Sequence, residues 1–224
     1  LYCTWPRLEG IAARGVDTDG DGVFTYAEFY EAPLEAFPYG PKKSVPSRDY
    51  VRQLFQSVQQ DNKELPQAVR IIPAGAVFLA LDKRIRAGEL PGVSEYFRRN
   101  KDYFRKARID GMRTLGEAGF PFDPGDAGFR QAQGVKNFYA DRVHMNDQPH
   151  NGDDSGTIGA FVAAVTVHTA LTGKDPRRFS ANEVADIYES FDAATDTELI
   201  ASLTETVWLV VSSDDRTGVV RTNQ

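Results

Sequence analysis

A chain of 224 residues, 41% hydrophobic and 11% aromatic, has room for a sizeable core in one large domain or two small ones. Its formal charge of −6 disfavours nucleic acid as a partner of the whole surface, and no run of about 18 apolar residues is present to span a membrane. A single cysteine, Cys3, excludes an intrachain disulfide and a thiolate metal site.

Residues 4–16 read as a helix in which Leu8, Ile11, Ala12 and Val16 recur at helical spacing. The next stretch, residues 17–28 (DTDGDGVFTYAE), places oxygen donors at regular intervals: Asp17, Asp19, Asp21, the Val23 carbonyl, Thr25 and Glu28. Ca²⁺ takes six to eight hard oxygens at about 2.3–2.6 Å, and positions 1, 3, 5, 7, 9 and 12 of a loop of this length supply them, position 9 directly or through a water. Gly22 stands where the loop must turn sharply, and Phe24 is the apolar residue expected to point into the core. The stretch resembles the EF-hand family over about residues 7–32, with every motif position matched. That resemblance implies a helix–loop–helix with Ca²⁺ as its ion. Thr25 is placed to cap the outgoing helix, and Glu28 three residues later also fits a capping box, although the expectation for Glu28 is the metal. Phe29 and Tyr30 continue an apolar face until Pro33 ends the helix.

Four prolines make residues 33–46 a connecting loop. Ser47 reads as the N-cap of a helix through about Asn62, with Val51, Leu54, Phe55 and Val58 on one face. Between Pro66 and Pro73, AVRII reads as a short strand or an extended linker. Ala74–Arg86 follows as a core helix, apolar nearly all round in its first half. A long helix is expected from Val93 to about Gly116, a loop over 116–128, and a helix over 129–145. A polar loop then leads to an Ala/Val-rich helix over 157–172, stopped by Gly173. Capping-box patterns at Ser180/Glu183 and Thr195/Glu198 predict helices through about Ala193, with Val184, Ile187, Tyr188 and Phe191 inward, and through about Val211. Residues from Ser212 onward read as a polar, mobile tail. The fold class is therefore mostly α: an irregular multi-helix domain with an N-terminal EF-hand helix–loop–helix. Its expected parts are 1–32 for that motif, 33–212 for the helical body and 213–224 for the tail.

Residues 151–162, NGDDSGTIGAFV, are a candidate for a degenerate second EF-hand loop that pairs with the first. Asn151, Asp153, Ser155, Gly156 and Ile158 match, but Gly159 and Val162 stand at positions 9 and 12, so the bidentate carboxylate is missing. An ordinary turn ahead of a helix is the favoured reading. His144, Asp147, His150, Asp153 and Asp154 form a further cluster without a zinc spacing. His168 reads as a hydrogen-bonded core histidine. Glu117, beside Phe120 and Phe122, is a candidate general acid with Asp123 or Asp126 as partner.

Charge is uneven. Residues 82–113 hold ten cations against five acids, about +5, which leaves about −11 elsewhere. An anionic protein or surface docking on Lys83, Arg84, Arg98, Arg99, Lys101, Arg105, Lys106 and Arg108 is one expectation, and a solvated helix face paired within the fold is the other. The start at Leu1 carries the expectation of a processed chain in a secreted, periplasmic or organelle-lumen setting. The functional expectation is a calcium-binding interaction protein or assembly subunit. Its alternatives are an enzyme, such as a hydrolase, with a structural Ca²⁺, and a calcium sensor or buffer.

Overall fold

The computed structural model describes residues 2–3, 18–20, 25–36, 47–64, 69–100, 134–138 and 157–220. Seven α-helices lie among these residues: α1 (Tyr26–Glu31), α2 (Arg48–Asp61), α3 (Ala74–Arg86), α4 (Val93–Arg99), α5 (Ile158–Thr172), α6 (Ala181–Ile187) and α7 (Thr197–Ser213). The protein is mostly helical. The described strand content is one parallel pair, β1 (Tyr2–Cys3) against β2 (Ile71–Ile72). Within AVRII, Ile71–Ile72 form a strand whose partner lies 69 residues earlier, since Tyr2 faces Ile71.

Local chemistry accounts for most helix starts. Thr25, Ser47 and Ser180 each accept a backbone N–H in the first turn, and Ser180 and Glu183 close a full capping box. Gly173, at φ +67°, closes α5, the left-handed conformation that glycine adopts without a Cβ penalty. Helix α5 is apolar on nearly every side and forms the middle of the core, packed by α7, which also crosses α3. Of its two buried threonines, Thr166 donates its hydroxyl to the Val162 carbonyl at 2.7 Å, whereas the Thr169 hydroxyl has no partner among the described residues.

Five expectations are corrected. The long helix from Val93 stops at Arg99, because the buried Asn100 turns its amide onto the Tyr96 and Ser190 carbonyls at 3.0 and 2.9 Å. Within the expected helix over 129–145, the described part is a 3₁₀ turn, Gly134–Phe138. Helix α6 ends at Ile187 instead of about Ala193: Tyr188 is extended, so that Tyr188 and Phe191 meet Phe161 edge-on at 5.4 and 5.3 Å, while Ile187 points out at 66% exposure. The tail is not loose through residue 220. Helix α7 runs to Ser213, and the following turn buries Thr217, whose hydroxyl donates to the Val211 carbonyl at 2.9 Å, and Val219. The start of α7 differs as well: Asp196, not Thr195, is its N-cap, and its buried carboxylate takes Arg99 and the Asp192 N–H instead of capping.

Two buried phenols tie this core together. Tyr96 Oη donates to Ser190 Oγ at 2.9 Å and accepts the Ile158 N–H at 3.0 Å, joining α4 to the start of α5. Tyr30 is stacked on Tyr26 at 5.7 Å. Burial pushes the Tyr30 phenol up from 10.0 to about 12, and that of Tyr96 higher still. A raised phenol adds stability that is complete below the unfolded value and lost as pH rises through the folded one. Stability is thus expected to fall between about pH 10 and pH 12, by on the order of 3 kcal/mol from Tyr30. Urea midpoints across this range should fall less steeply for Y30F than for the wild type; parallel curves would refute the assignment.

Candidate metal centre

The loop of residues 17–28 leads into α1, and α1 is fixed before any ion is considered. Tyr26, Phe29 and Tyr30 of this short helix are buried, and Tyr26 Oη donates to the Gly75 carbonyl of α3 at 3.0 Å. Gly75 is required there, since a Cβ would come within 2.6 Å of the Tyr30 ring. Burying three aromatic side chains stabilises this docking by about 1.5–3 kcal/mol each. Glu31 adds ion pairs to Lys83 and Arg48 at 3.1 and 2.9 Å, and Ala32 and Pro33 end the helix where the sequence predicts.

Of the six predicted ligands, Asp19, Thr25 and Glu28 are described; Asp17, Asp21 and Val23 lie outside the described residues, as do Gly22 and Phe24. Glu28 does not stand apart from the capping box, as expected of a dedicated ligand, but completes it. Its Oε2 accepts from Thr25 N and Oγ1, both at 2.9 Å, while Thr25 Oγ1 accepts the Glu28 N–H at 3.1 Å. Its Oε1 reaches back ten residues to accept from Thr18 N at 2.8 Å and Thr18 Oγ1 at 3.0 Å. One carboxylate thereby ties loop position 2 to loop position 9. Partial burial alone would raise its pKa, but these hydrogen bonds from Thr25 and Thr18 outweigh burial and hold the carboxyl below its ordinary 4.5. It is ionised at neutral pH, the form a hard cation needs.

Among the described loop residues, two carry the anionic oxygens that a hard cation takes. An anionic carboxylate is already drawn inward across the loop, and a second, Asp19, stands exposed on the opposite limb. The Thr25 hydroxyl is engaged by the cap on both its donor and acceptor sides, so its route to an ion is through a water, the usual one for position 9. Gly20 at position 4 adopts φ +76° with nothing within 4 Å of a would-be Cβ, so the backbone turn alone calls for glycine there. The Asp-Gly dipeptide was a legible signal for that turn, whereas nothing in the sequence marked Thr18. No group of three or more His, Cys, Asp or Glu side chains is assembled among the described residues, which include two of the four loop carboxylates.

The other candidates separate cleanly. Glu117, Asp123, Asp126, His144, Asp147, His150, Asp153 and Asp154 lie outside the described residues, as does the first half of the second loop candidate. Its second half is helix: Ile158, Gly159 and Val162 belong to α5, and the Ile158 N–H is taken by Tyr96. Gly159 has a packing reason, because a Cβ would lie 2.2 Å from the Phe138 carbonyl oxygen. His168 is not a hydrogen-bonded core residue. It is half-buried, packs beside Phe179 at 5.7 Å, and its ring makes no hydrogen bond to a described residue.

In the basic segment, every described cation is engaged within the fold. Lys83 pairs with Glu31, Arg86 with Asp82, Arg98 with Glu95 and Arg99 with Asp196. Arg84 donates to Thr206 Oγ1 and the Ser202 carbonyl at 2.6 and 3.1 Å. Lys101, Arg105, Lys106 and Arg108 lie outside the described residues. No helix among the described residues is long and apolar enough to cross a membrane. No protein-family model, curated protein or solved structure matches the chain.

Proposed function

We propose that this chain is a calcium-binding helical protein in which Ca²⁺ orders the N-terminal helix–loop–helix, and that it serves as an interaction protein or assembly subunit. The observation that carries the reading is the Glu28 carboxylate, drawn back across the ligand-bearing loop to Thr18 while its helix is sealed into the core. Ca²⁺ here acts as a clasp. A sensor would need an exit helix free to swing, and α1 is six residues long, docked by Tyr26, Phe29 and Tyr30, and ended at Pro33. A calcium titration that follows thermal midpoint and dye-accessible apolar surface together tests this: a rising midpoint without new apolar surface is expected. New apolar surface on binding would favour the sensor instead.

An anionic partner would meet the basic segment chiefly beyond Arg99, because the cations from Lys83 to Arg99 are engaged inside the fold. Arg99 is a poor site for charge reversal, since its Asp196 partner is buried. Arg98 is exposed and pairs only at the surface, with Glu95. The double variant R98E/K106E is expected to leave a polyglutamate column at lower salt than the wild type, with an unchanged thermal midpoint. Identical elution would remove this docking face.

A further inference from the structure

Helix α5 is apolar on nearly all sides, and such a helix belongs in a core covered all round. One side is left partly open. Ala164 is exposed and His168 half-buried, and between α5 and α6 lies a cleft of about 320 Å³. Its walls include Phe161, Val165, Phe179 and Ile187, the last two exposed at 37% and 66%. This volume is at the small end of the range for ligand sites, which are apolar with a few placed polar groups.

Three polar side chains line the cleft: His168, Glu183 and Tyr188. Glu183 is held in position by its own helix cap, with Oε2 accepting from Ser180 N and Oγ, both at 2.8 Å. Its Oε1 has no partner among the described residues. Neither the Tyr188 hydroxyl nor the His168 ring makes a hydrogen bond to a described residue. The cleft therefore combines an exposed carboxylate, fixed by its cap, with the aromatic rings of Phe161, Phe179 and Tyr188. Both attract a cation, the carboxylate by a charge-assisted hydrogen bond and the rings through their negative faces. The apolar walls favour a hydrophobic body, and no second carboxylate lines the cleft to hold a bare metal ion.

We propose that the α5–α6 cleft binds a small hydrophobic ammonium ion, an aromatic or short aliphatic group carrying an amine, with Glu183 Oε1 taking the ammonium and the apolar walls taking the body. The site is independent of the calcium loop, so the two readings fail separately. Three probes of one shape test it on the full chain by calorimetric titration: phenethylamine, phenethyl alcohol and hydrocinnamate. The amine is expected to bind about twofold to fivefold more tightly than the alcohol, the range for a charge pair with an exposed carboxylate, and the carboxylate more weakly than either. E183Q keeps the capping box, which glutamine also completes. It should therefore retain the wild-type midpoint and the alcohol affinity while losing the preference for the amine. I187R, which places a cation at the mouth, should weaken binding of the amine and narrow or reverse its advantage over the carboxylate. Equal binding of amine and carboxylate, a preference that survives E183Q, or no binding of any probe would overturn the proposal. So would sedimentation showing a dimer that I187R dissociates, which would give the face to a second copy of the chain.

Discussion

Ca²⁺ at a hundred times its dissociation constant is expected to raise the thermal midpoint of the wild-type chain by about 5–10 °C. The figure follows from a linkage gain of about 2.7 kcal/mol and a response of about 2–4 °C per kcal/mol for a chain of this size. In the proposed calcium reading Glu28 has two roles, cap and ligand, that substitutions can separate. In E28Q a single amide oxygen can accept from Thr25 or from Thr18, not from both, and bidentate anionic ligation is gone. The calcium-dependent rise should therefore vanish, while the metal-free midpoint falls less than in E28A, which loses both ties. T25A provides the converse. It removes the N-cap, worth about 0.5–2 kcal/mol, and should lower the metal-free midpoint while keeping most of the calcium response, because the Thr25 hydroxyl already serves the cap. A wild-type midpoint indifferent to Ca²⁺, or an E28Q response equal to that of the wild type, would end the calcium reading.

The surroundings of Glu28 mark the boundary of what the sequence makes legible. Its spacing from Thr25 encodes the capping box, and its spacing from Asp17 encodes a ligand; both patterns are local and can be read directly. The tie to Thr18 exists only once the loop has closed, so no spacing rule announces it. Elsewhere the division is the same. Ser47, Ser180, Pro33 and Gly173 govern their own turns, and the helices begin or end beside them. Asn100, Tyr188 and Asp196 do not follow local pattern, because each answers to residues distant in sequence or to an aromatic cluster. Asn100 takes the Ser190 carbonyl, Tyr188 turns to Phe161, and Asp196 binds Arg99. Helical periodicity ran past Arg99 and Ile187 for that reason: it measures amphipathic spacing and is blind to a buried amide or ring with a better partner. His168 was misplaced by the same blindness, since an apolar helix looks buried all round until the openness of one face is seen.

D82A is expected to be among the most destabilising single substitutions in the described core. Asp82 has no exposed surface and sits on α3, where its Oδ2 accepts from Arg86 Nε at 2.9 Å and its Oδ1 accepts the Val135 N–H at 2.9 Å. The approach is so close that a Cβ on Gly134 would lie 2.0 Å from Asp82 Oδ1, so the turn at Gly134–Phe138 is shaped around this carboxylate. Removing this carboxylate leaves the buried Val135 N–H unpaired and takes a charged partner from the partly buried Arg86, a loss of about 2–3 kcal/mol. D82N should lie between D82A and the wild type, since its amide oxygen can still accept from Val135 but offers Arg86 no charge. The double variant D82A/R86L should recover part of the D82A loss by replacing a guanidinium that has lost this carboxylate with an apolar side chain. Urea midpoints of the four chains measure these differences, and a D82A loss below about 1 kcal/mol would refute the assignment. Asp82 lies seven residues along α3 from Gly75, about 10 Å of helical rise from where α1 is fastened. At that separation the two sites should act additively. D82A should therefore lower the metal-free and calcium-loaded midpoints alike, leaving the increment due to Ca²⁺ intact and assigning it to the loop alone.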